Sequence, residues 1–398
     1  MKQGACSVSK KWQKWLGVAL AATLTTALVA GCGGKSEPKG DANEIRIGAS
    51  MELTGGVAAY GQQTLNGIKL AVKQANDAGG VNGKKINLIV ADNKSEASEA
   101  TNSVTKLINQ DKVIAVLGPV VSSNALAALP VAESAKVPLL TPTATNPDVT
   151  VKDGKVRPYA FRSCFIDPFQ GTVVANFATK TLGAKKAAIY VDNSSDYSKG
   201  LAKFFEENFV KNGGTVVIKE AFLQKDQDFK STLTKIKAAG ADVLYVPGYY
   251  EEVGKIVKQA REMGITIPIT GGDGWDNAKL PEVAGAAALN NTFFSNHYSA
   301  EDKDPNVSKF VEAYKKEYNE APSALSALGY DAGLLLVDAL KRAGSADSAK
   351  LTEALAAVKN LQVSTGIISL DANHNPVKSA VIIEMKDGKQ TFKEKVNP

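Results

Sequence analysis

Two histidines, His297 and His374, and three cysteines, Cys6, Cys32 and Cys164, supply all the imidazole and thiol chemistry of this 398-residue chain. The histidines stand far apart, with no His-Glu-x-x-His pair and no second ligand at a fixed spacing, so no metal is expected. There is no Gly-x-Ser-x-Gly elbow and no phosphate loop of the Gly-x4-Gly-Lys-Ser/Thr spacing. Asp371-Ala372-Asn373-His374-Asn375 begins like a calcium loop. Pro376 then stands where glycine is required and Ile382 where the bidentate glutamate belongs, so the segment reads as a turn. Bond-making chemistry is poorly supplied, neither an enzyme nor a cofactor is expected, and non-covalent capture of a small molecule is the better use of the polar residues.

Those residues fall into two groups of opposite character. In the first, Ser122-Ser123-Asn124 precede the helical stretch Ala125 to Ala135, and Thr141-Pro142-Thr143-Ala144-Thr145-Asn146-Pro147 forms a hydroxyl-rich turn. Ser122 is suited to capping the helix, and the free N–H groups of a first turn favour a carboxylate; simple capping and anion binding both remain open. The second group is Asp196-Tyr197, Pro247-Gly248-Tyr249-Tyr250 and Gly271-Gly272-Asp273-Gly274-Trp275. Asp273, between glycines, is placed to pair with an ammonium, and Tyr197, Tyr249 and Trp275 could face the same cation or an apolar group. Each aromatic taken singly reads better as core packing or a hydrophobic lid, and their joint placement at three strand ends is what favours the cleft. A zwitterion held between the two groups satisfies both.

The elements that must position these groups alternate regularly. A strand starts at Ile45 and Ile47, and a helix carries Leu65, Ile68, Ala71, Val72 and Ala75 on one face, stopped by Gly79-Gly80. Strand-like runs follow at 86–90, 113–117, 137–140, 187–192, 215–222, 243–247 and 267–270. Helix-like stretches lie near 95–109, 122–135, 168–182, 197–212, 228–238 and 250–263. Such alternation means βαβ units and parallel sheets covered on both faces. The candidate binding residues lie at the C-terminal ends of these strands, where open α/β sheets bind ligands. The alternation breaks at 150–162 and again at 291–297, where helices near 305–319 and 324–343 follow. Both breaks read as passages between lobes. Late strands near 366–370 and 378–386 would be a third crossing and a return. The expected fold class is α/β, with two doubly wound parallel-sheet lobes joined by three crossings. The N-terminal lobe takes 44–162 and 297–368, and the C-terminal lobe 163–296 and 369–398.

The N-terminus carries a different message. Lys2, Lys10, Lys11 and Lys14 precede the apolar stretch Leu16 to Ala30, and Leu28-Val29-Ala30-Gly31-Cys32 resembles a bacterial lipoprotein signal. The stretch is short for a membrane span, which needs about 20 apolar residues. Residues 1–31 read as a leader, Cys32 as the lipidation site that tethers the chain to a membrane, and 32–43 as a flexible linker. The leader holds four lysines and no acid, so the formal charge of +6 drops to +2 without it. The basic balance is therefore targeting, and no nucleic-acid partner is implied. Cys164 is then the one thiol left, with no partner for an intramolecular disulfide, and is expected to be a buried, small apolar residue. No membrane, kinase or DNA-binding segment follows the last strand, which weighs against a sensor.

The residues in this order resemble the branched-chain amino-acid binding proteins, the leucine–isoleucine–valine receptors of ATP-driven importers. The resemblance covers residues 44–398. Its landmarks are Thr54-Gly55, Tyr60-Gly61, Ala75-Asn76, Gly79-Gly80-Val81-Asn82-Gly83, Ser122-Ser123, Ala144-Thr145-Asn146-Pro147, Asp196-Tyr197, Gly248-Tyr249-Tyr250 and Gly272-Asp273-Gly274. It implies a type I periplasmic-binding fold with the ligand in an interlobe cleft. It further implies that Ser122, Thr145 and the backbone at Thr143, in the turn that includes Ala144, hold an α-carboxylate. Asp273 would take the ammonium with Tyr249, and Tyr60, Tyr197 and Trp275 would line the side-chain region. The implied partners are an amino acid and the permease of an ABC transporter, with the receptor a monomer; a short-chain amide, urea or aromatic acid is the alternative ligand. The family often carries glutamate where Asp273 stands, and some relatives have a disulfide near Asn93 and Val121 that this chain lacks.

Overall fold

The structure is a computed structural model and describes residues 43–397. The leader, Cys32 and all of the linker but its last residue lie outside the described residues. The first half runs β1 (Glu44–Met51), α1 (Ala58–Asp77), β2 (Lys85–Asp92), α2 (Ala97–Asn109), β3 (Val116–Leu117), α3 (Ser122–Ala135), β4 (Leu139–Thr141), β5 (Val151–Lys152), β6 (Lys155–Val156) and β7 (Ala160–Arg162). Five of these strands form one parallel sheet in the order β2-β1-β3-β4-β7. The break read at 150–162 is thus a small β5–β6 hairpin followed by the sheet's last strand.

The chain then enters a second sheet. Its elements are α4 (Asp167–Asn176), β8 (Lys186–Asp192), α5 (Asp196–Lys211), β9 (Thr215–Phe222), α6 (Lys230–Ala238), β10 (Val243–Tyr245), α7 (Tyr250–Glu262), β11 (Ile269–Gly271), α8 (Leu280–Ala284) and β12 (Thr292–Asn296). The next helices are α9 (Pro305–Tyr318), α10 (Ala324–Ala343) and α11 (Ser348–Ala356), of which the last was not expected. They are followed by β13 (Leu361–Val363), β14 (Gly366–Ile368), β15 (Ala380–Lys386) and β16 (Lys389–Val396). The second sheet reads β16-β15-β12-β11-β10-β8-β9, parallel from β9 to β12 and closed by the antiparallel β15–β16 hairpin. Among the described residues, the strand expected near 366–370 joins neither sheet: β14 pairs with β13 in a hairpin, and Leu370 makes a single bridge to Pro376.

Both sheets follow the same doubly wound order, with the first strand between the second and third. Strand ends on either side of that reversal splay apart and leave a crevice, and two such crevices face each other here. The strands read as near-continuous apolar runs because helices cover both faces: every residue of Ala187–Asp192 is buried. Each large side chain so buried contributes about 1.5–3 kcal/mol. Helix α10 returns from the second sheet to pack along α1 at glycine contacts. A Cβ on Gly67 would lie 2.0 Å from Ser326 O, and one on Gly329 would lie 2.1 Å from Thr64 O, so the two backbones touch. Among the described residues, no helix is long and apolar enough to cross a membrane.

The outer strand β16 has the sequence Lys-Gln-Thr-Phe-Lys-Glu-Lys-Val and pairs with β15 alone. A register shift between Ile382 and Ile383 bends that hairpin. Phe392 keeps part of its ring in solvent, and the lysines project from the same ribbon.

Candidate functional site

Loops from the facing strand ends form a pocket lined by Tyr60, Val120, Val121, Ser122, Thr143, Tyr197, Tyr249, Asp273, Gly274 and Leu325. Tyr60 comes from the first turn of α1, Val120 to Ser122 from the β3–α3 junction, and Thr143 from the turn after β4. Tyr197 opens α5, Tyr249 precedes α7, Asp273 follows β11, and Leu325 lies on α10. Six of the residues singled out from sequence therefore share one wall or another of a single space.

The hydroxyl side of the cavity is built in layers. Helix α3 starts at Ser122 itself, with Val121 as its N-cap, so Ser122 does not cap the helix as its position suggested. Its Oγ instead accepts from Asn146 N at 3.3 Å, tying the helix start to the threonine turn. Thr143 Oγ1 donates to Val120 O at 2.6 Å, a second tie. The fully buried Arg162 pulls the turn into shape from below, donating to Ala144 O at 2.7 Å and Asn146 O at 2.8 Å. Ala144 is buried, its N–H donating to Thr141 Oγ1 at 3.2 Å.

Thr145 departs from expectation. It is absent from the cavity lining and packs behind it, where its carbonyl accepts from Asp167 N at 3.0 Å. Asp167 is fully buried and neither carboxyl oxygen makes a hydrogen bond of normal geometry among the described residues. Burial raises its carboxyl to about 8, with Thr145 and the Arg162 charge pulling down and Asp273 pushing up. Glu52, which the sequence reading passed over, occupies part of the anion seat. Its buried carboxylate accepts from Val120 N at 3.0 Å, Val121 N at 3.2 Å and Asn124 Nδ2 at 2.9 Å. Burial raises the Glu52 carboxyl and these three donors oppose the rise.

The opposite wall carries Asp273. Its Oδ1 accepts from Tyr197 OH at 2.7 Å, and its Oδ2 lies 2.8 Å from His297 Nε2. Its own N–H donates to Gln170 Oε1 at 2.8 Å. The flanking glycines serve this packing: a Cβ on Gly272 would lie 2.5 Å from Gln170 Oε1 and 2.6 Å from Tyr197 OH. His297 stacks on Phe165, and burial lowers its basicity against the opposing pull of Asp273. Neither His297 nor Gln170 was assigned to the ligand site from sequence. His297 is the first residue after β12, so the strand-end rule that selected Asp273 would have found it too.

Three tyrosines make the remaining wall. Tyr197 and Tyr249 stack at 5.3 Å with planes 8° apart, and Tyr60 meets Tyr249 edge-on at 5.7 Å. The Tyr60 hydroxyl reaches across from the first sheet's side, donating to Gly274 O and accepting from Tyr250 N at 3.0 Å. The rim is also closed: Asp196 N donates to Ser123 Oγ at 3.1 Å and Asn146 Nδ2 to Asp196 O at 2.9 Å. Trp275 was expected on this wall and is not there. Its indole is fully buried, lies over the bare Cα of Gly271, packs near Phe294 and donates Nε1–H to Val246 O at 3.0 Å. Cys164 is buried with its Sγ 3.4 Å from Ala144 O, and burial pushes its thiol up to about 12, far from a nucleophile's range.

With this geometry in place, comparison with known proteins is decisive. Residues 44–390 match the family model described as periplasmic binding protein. The chain belongs to that family. A Leu/Ile/Val-binding protein homologue of Brucella melitensis is 33% identical over 327 residues, covering 82% of this chain and 87% of that one. A leucine-binding protein of Thermotoga maritima superposes with a TM-score of 0.84 at 40% identity, covering 89% of this chain and 99% of that one. The branched-chain amino-acid transporter substrate-binding protein of Streptococcus pneumoniae, solved with isoleucine, gives 0.83 at 42% identity, covering 89% and 100%. A solute-binding protein of an R. palustris ABC transporter, solved with benzoate, gives 0.81 at 26% identity, covering 89% and 97%.

Proposed function

We propose that this chain is a solute-binding lipoprotein that captures an amino acid with a branched aliphatic side chain and delivers it to an ABC importer. The observation that carries the reading is the charge layout of the cavity. Hydroxyls and the start of α3 lie on one wall, a carboxylate on the other, and tyrosine faces between them. A zwitterion spans such a space. Its carboxylate would meet Ser122, Thr143 and the first-turn N–H groups of α3. Its ammonium would meet Asp273, and its side chain would lie against Tyr60, Tyr197, Tyr249 and Leu325. Thr145 would act from behind, through the shape of its turn.

The relatives' names and the isoleucine complex support the branched-chain ligand. The remaining parts of the reading are proposals as well. The chain acts by binding and not by catalysis, works as a monomer, and sits outside the cytoplasm on lipid attached to Cys32. The lobes divide as 44–162 with 297–368 and 163–296 with 369–398, in keeping with the strand content of the two sheets. The benzoate complex favours a second reading, an aromatic acid. An acid without an ammonium would leave the charge of Asp273 facing an apolar group, which is costly.

A thermal-shift screen of residues 44–398 against the twenty amino acids, short amides and aromatic acids tests the reading, since a ligand of the folded state raises Tm. Leucine, isoleucine or valine should give the largest shift, and Asp273→Ala should abolish it while the unliganded protein still melts cooperatively. A shift from aromatic acids alone, or an unchanged leucine shift in Asp273→Ala, refutes it.

A further inference from the structure

We propose that His297 positions Asp273 for the ligand's ammonium and makes capture sensitive to protons. The inference rests on the amino-acid reading above and adds a residue to it.

The geometry constrains the imidazole closely. His297 Nε2 lies 2.8 Å from Asp273 Oδ2, the ring is stacked on Phe165, and its side chain is 1% exposed. A carboxylate offers only acceptors, so Nε2 must carry a hydrogen. Nδ1 is buried and has no hydrogen-bond partner among the described residues. As a bare ring nitrogen it forgoes one hydrogen bond; protonated, it would be a buried donor and a buried charge with nothing to accept it. The neutral Nε2–H form is therefore the one the site accommodates. It leaves Asp273 its full negative charge and fixes the rotation of the carboxylate, with Tyr197 holding the other oxygen.

The charged surroundings divide: the two carboxylates that face the imidazole favour a proton on it, while burial, the largest effect, and Lys378 oppose one. Asp273 and Asp276 face the imidazole from the loop after β11, and Lys378 from the segment before β15. Asp167, held near neutrality by burial, and the Cys164 thiol lie on the side of the first crossing, close enough to feel Asp273. A ligand ammonium beside Asp273 adds a positive charge to this set. An imidazolium on the other oxygen would compete with it for the same carboxylate. Proton uptake at His297 and ligand capture thus oppose each other. His297 is also the first residue of the segment that leads from the second sheet to α9, so the carboxylate is held from a crossing between the lobes.

The test uses leucine and its des-amino analogue 4-methylpentanoate, by calorimetric titration of wild type, His297→Gln and His297→Leu. Removing a donor to a charged acceptor should weaken leucine binding about tenfold in His297→Leu, and His297→Gln, which keeps an N–H, should recover most of it. Binding of 4-methylpentanoate, which has no ammonium, should change by less than about twofold in either variant. As the pH falls below 6.5, where an imidazole held under its ordinary value takes up its proton, wild type should lose leucine affinity and His297→Gln should not. If wild type binds leucine but His297→Leu matches it, or if His297→Gln keeps the wild-type pH profile, the role of His297 is refuted alone. If wild type binds no amino acid, the functional reading falls, and this inference with it.

Discussion

Replacing Asp167 with asparagine should stabilise the protein, and the gain should grow with pH. In the unfolded chain this carboxyl ionises near 3.8; in the folded one it does so at about 8, chiefly because it is buried. A group whose folded pKa is raised contributes stability that is fully present below the unfolded value and lost as pH rises to the folded one. Wild type therefore loses about 1.4 kcal/mol per pH unit from this group across the window from 4 to 8, and asparagine, which cannot ionise, loses none. Between pH 5 and pH 7 the advantage of Asp167→Asn should widen by about 3 kcal/mol. For a chain of this size that is a difference in Tm of roughly 4 °C. Differential scanning calorimetry of both proteins without ligand, at pH 5, 6, 7 and 8, reads this directly. A difference that is flat with pH would show that Asp167 is an ordinary ionised carboxylate paired with Arg162. A variant less stable than wild type at every pH would say the same.

Two further outcomes follow from contacts already described. Tyr60→Phe removes the hydroxyl that joins Gly274 O and Tyr250 N across the cavity, and should weaken leucine binding by about 1.4 kcal/mol, or tenfold, in calorimetric titration. Unchanged affinity would mean that this bridge does not form around ligand. Gly67→Ala places a methyl group against Ser326 O and forces α1 and α10 apart, so it should cost at least about 2 kcal/mol in urea unfolding. A loss below about 0.5 kcal/mol would show that the helix pair is less tightly seated than the distances say.

The sequence was most readable where one force dominates. Amphipathic spacing placed α5, α7 and α10 within a residue or two of their ends, and apolar runs placed the buried parallel strands. Legibility failed where pairing or packing at long range decides. The β16 sequence is half charged and becomes a strand because β15 lends it hydrogen bonds. Trp275 looks like a binding aromatic beside Asp273, yet the absent side chain of Gly271 makes a better bed for the indole than the cavity does. Ser122 looked like a cap because the helix was read as starting at Ala125; the true start moves its hydroxyl onto the neighbouring turn. Glu52, Arg162 and Gln170 sit in ordinary-looking sequence, and the hydrogen-bond partners of their side chains are 12 to 125 residues away. Their roles exist only once the strand ends converge.

The lysine-bearing outer strand bears on the protein's behaviour in company. An edge strand offers unpaired N–H and C=O groups to any neighbour of similar length, and a second copy of the chain is the neighbour most often met. Lys389, Lys393 and Lys395 would then have to face their own counterparts, stripped of water, along a ribbon already twisted by its bulge. Crowding such molecules together should leave them as separate particles, and neutralising these three lysines should be a direct route to sheet-to-sheet aggregation.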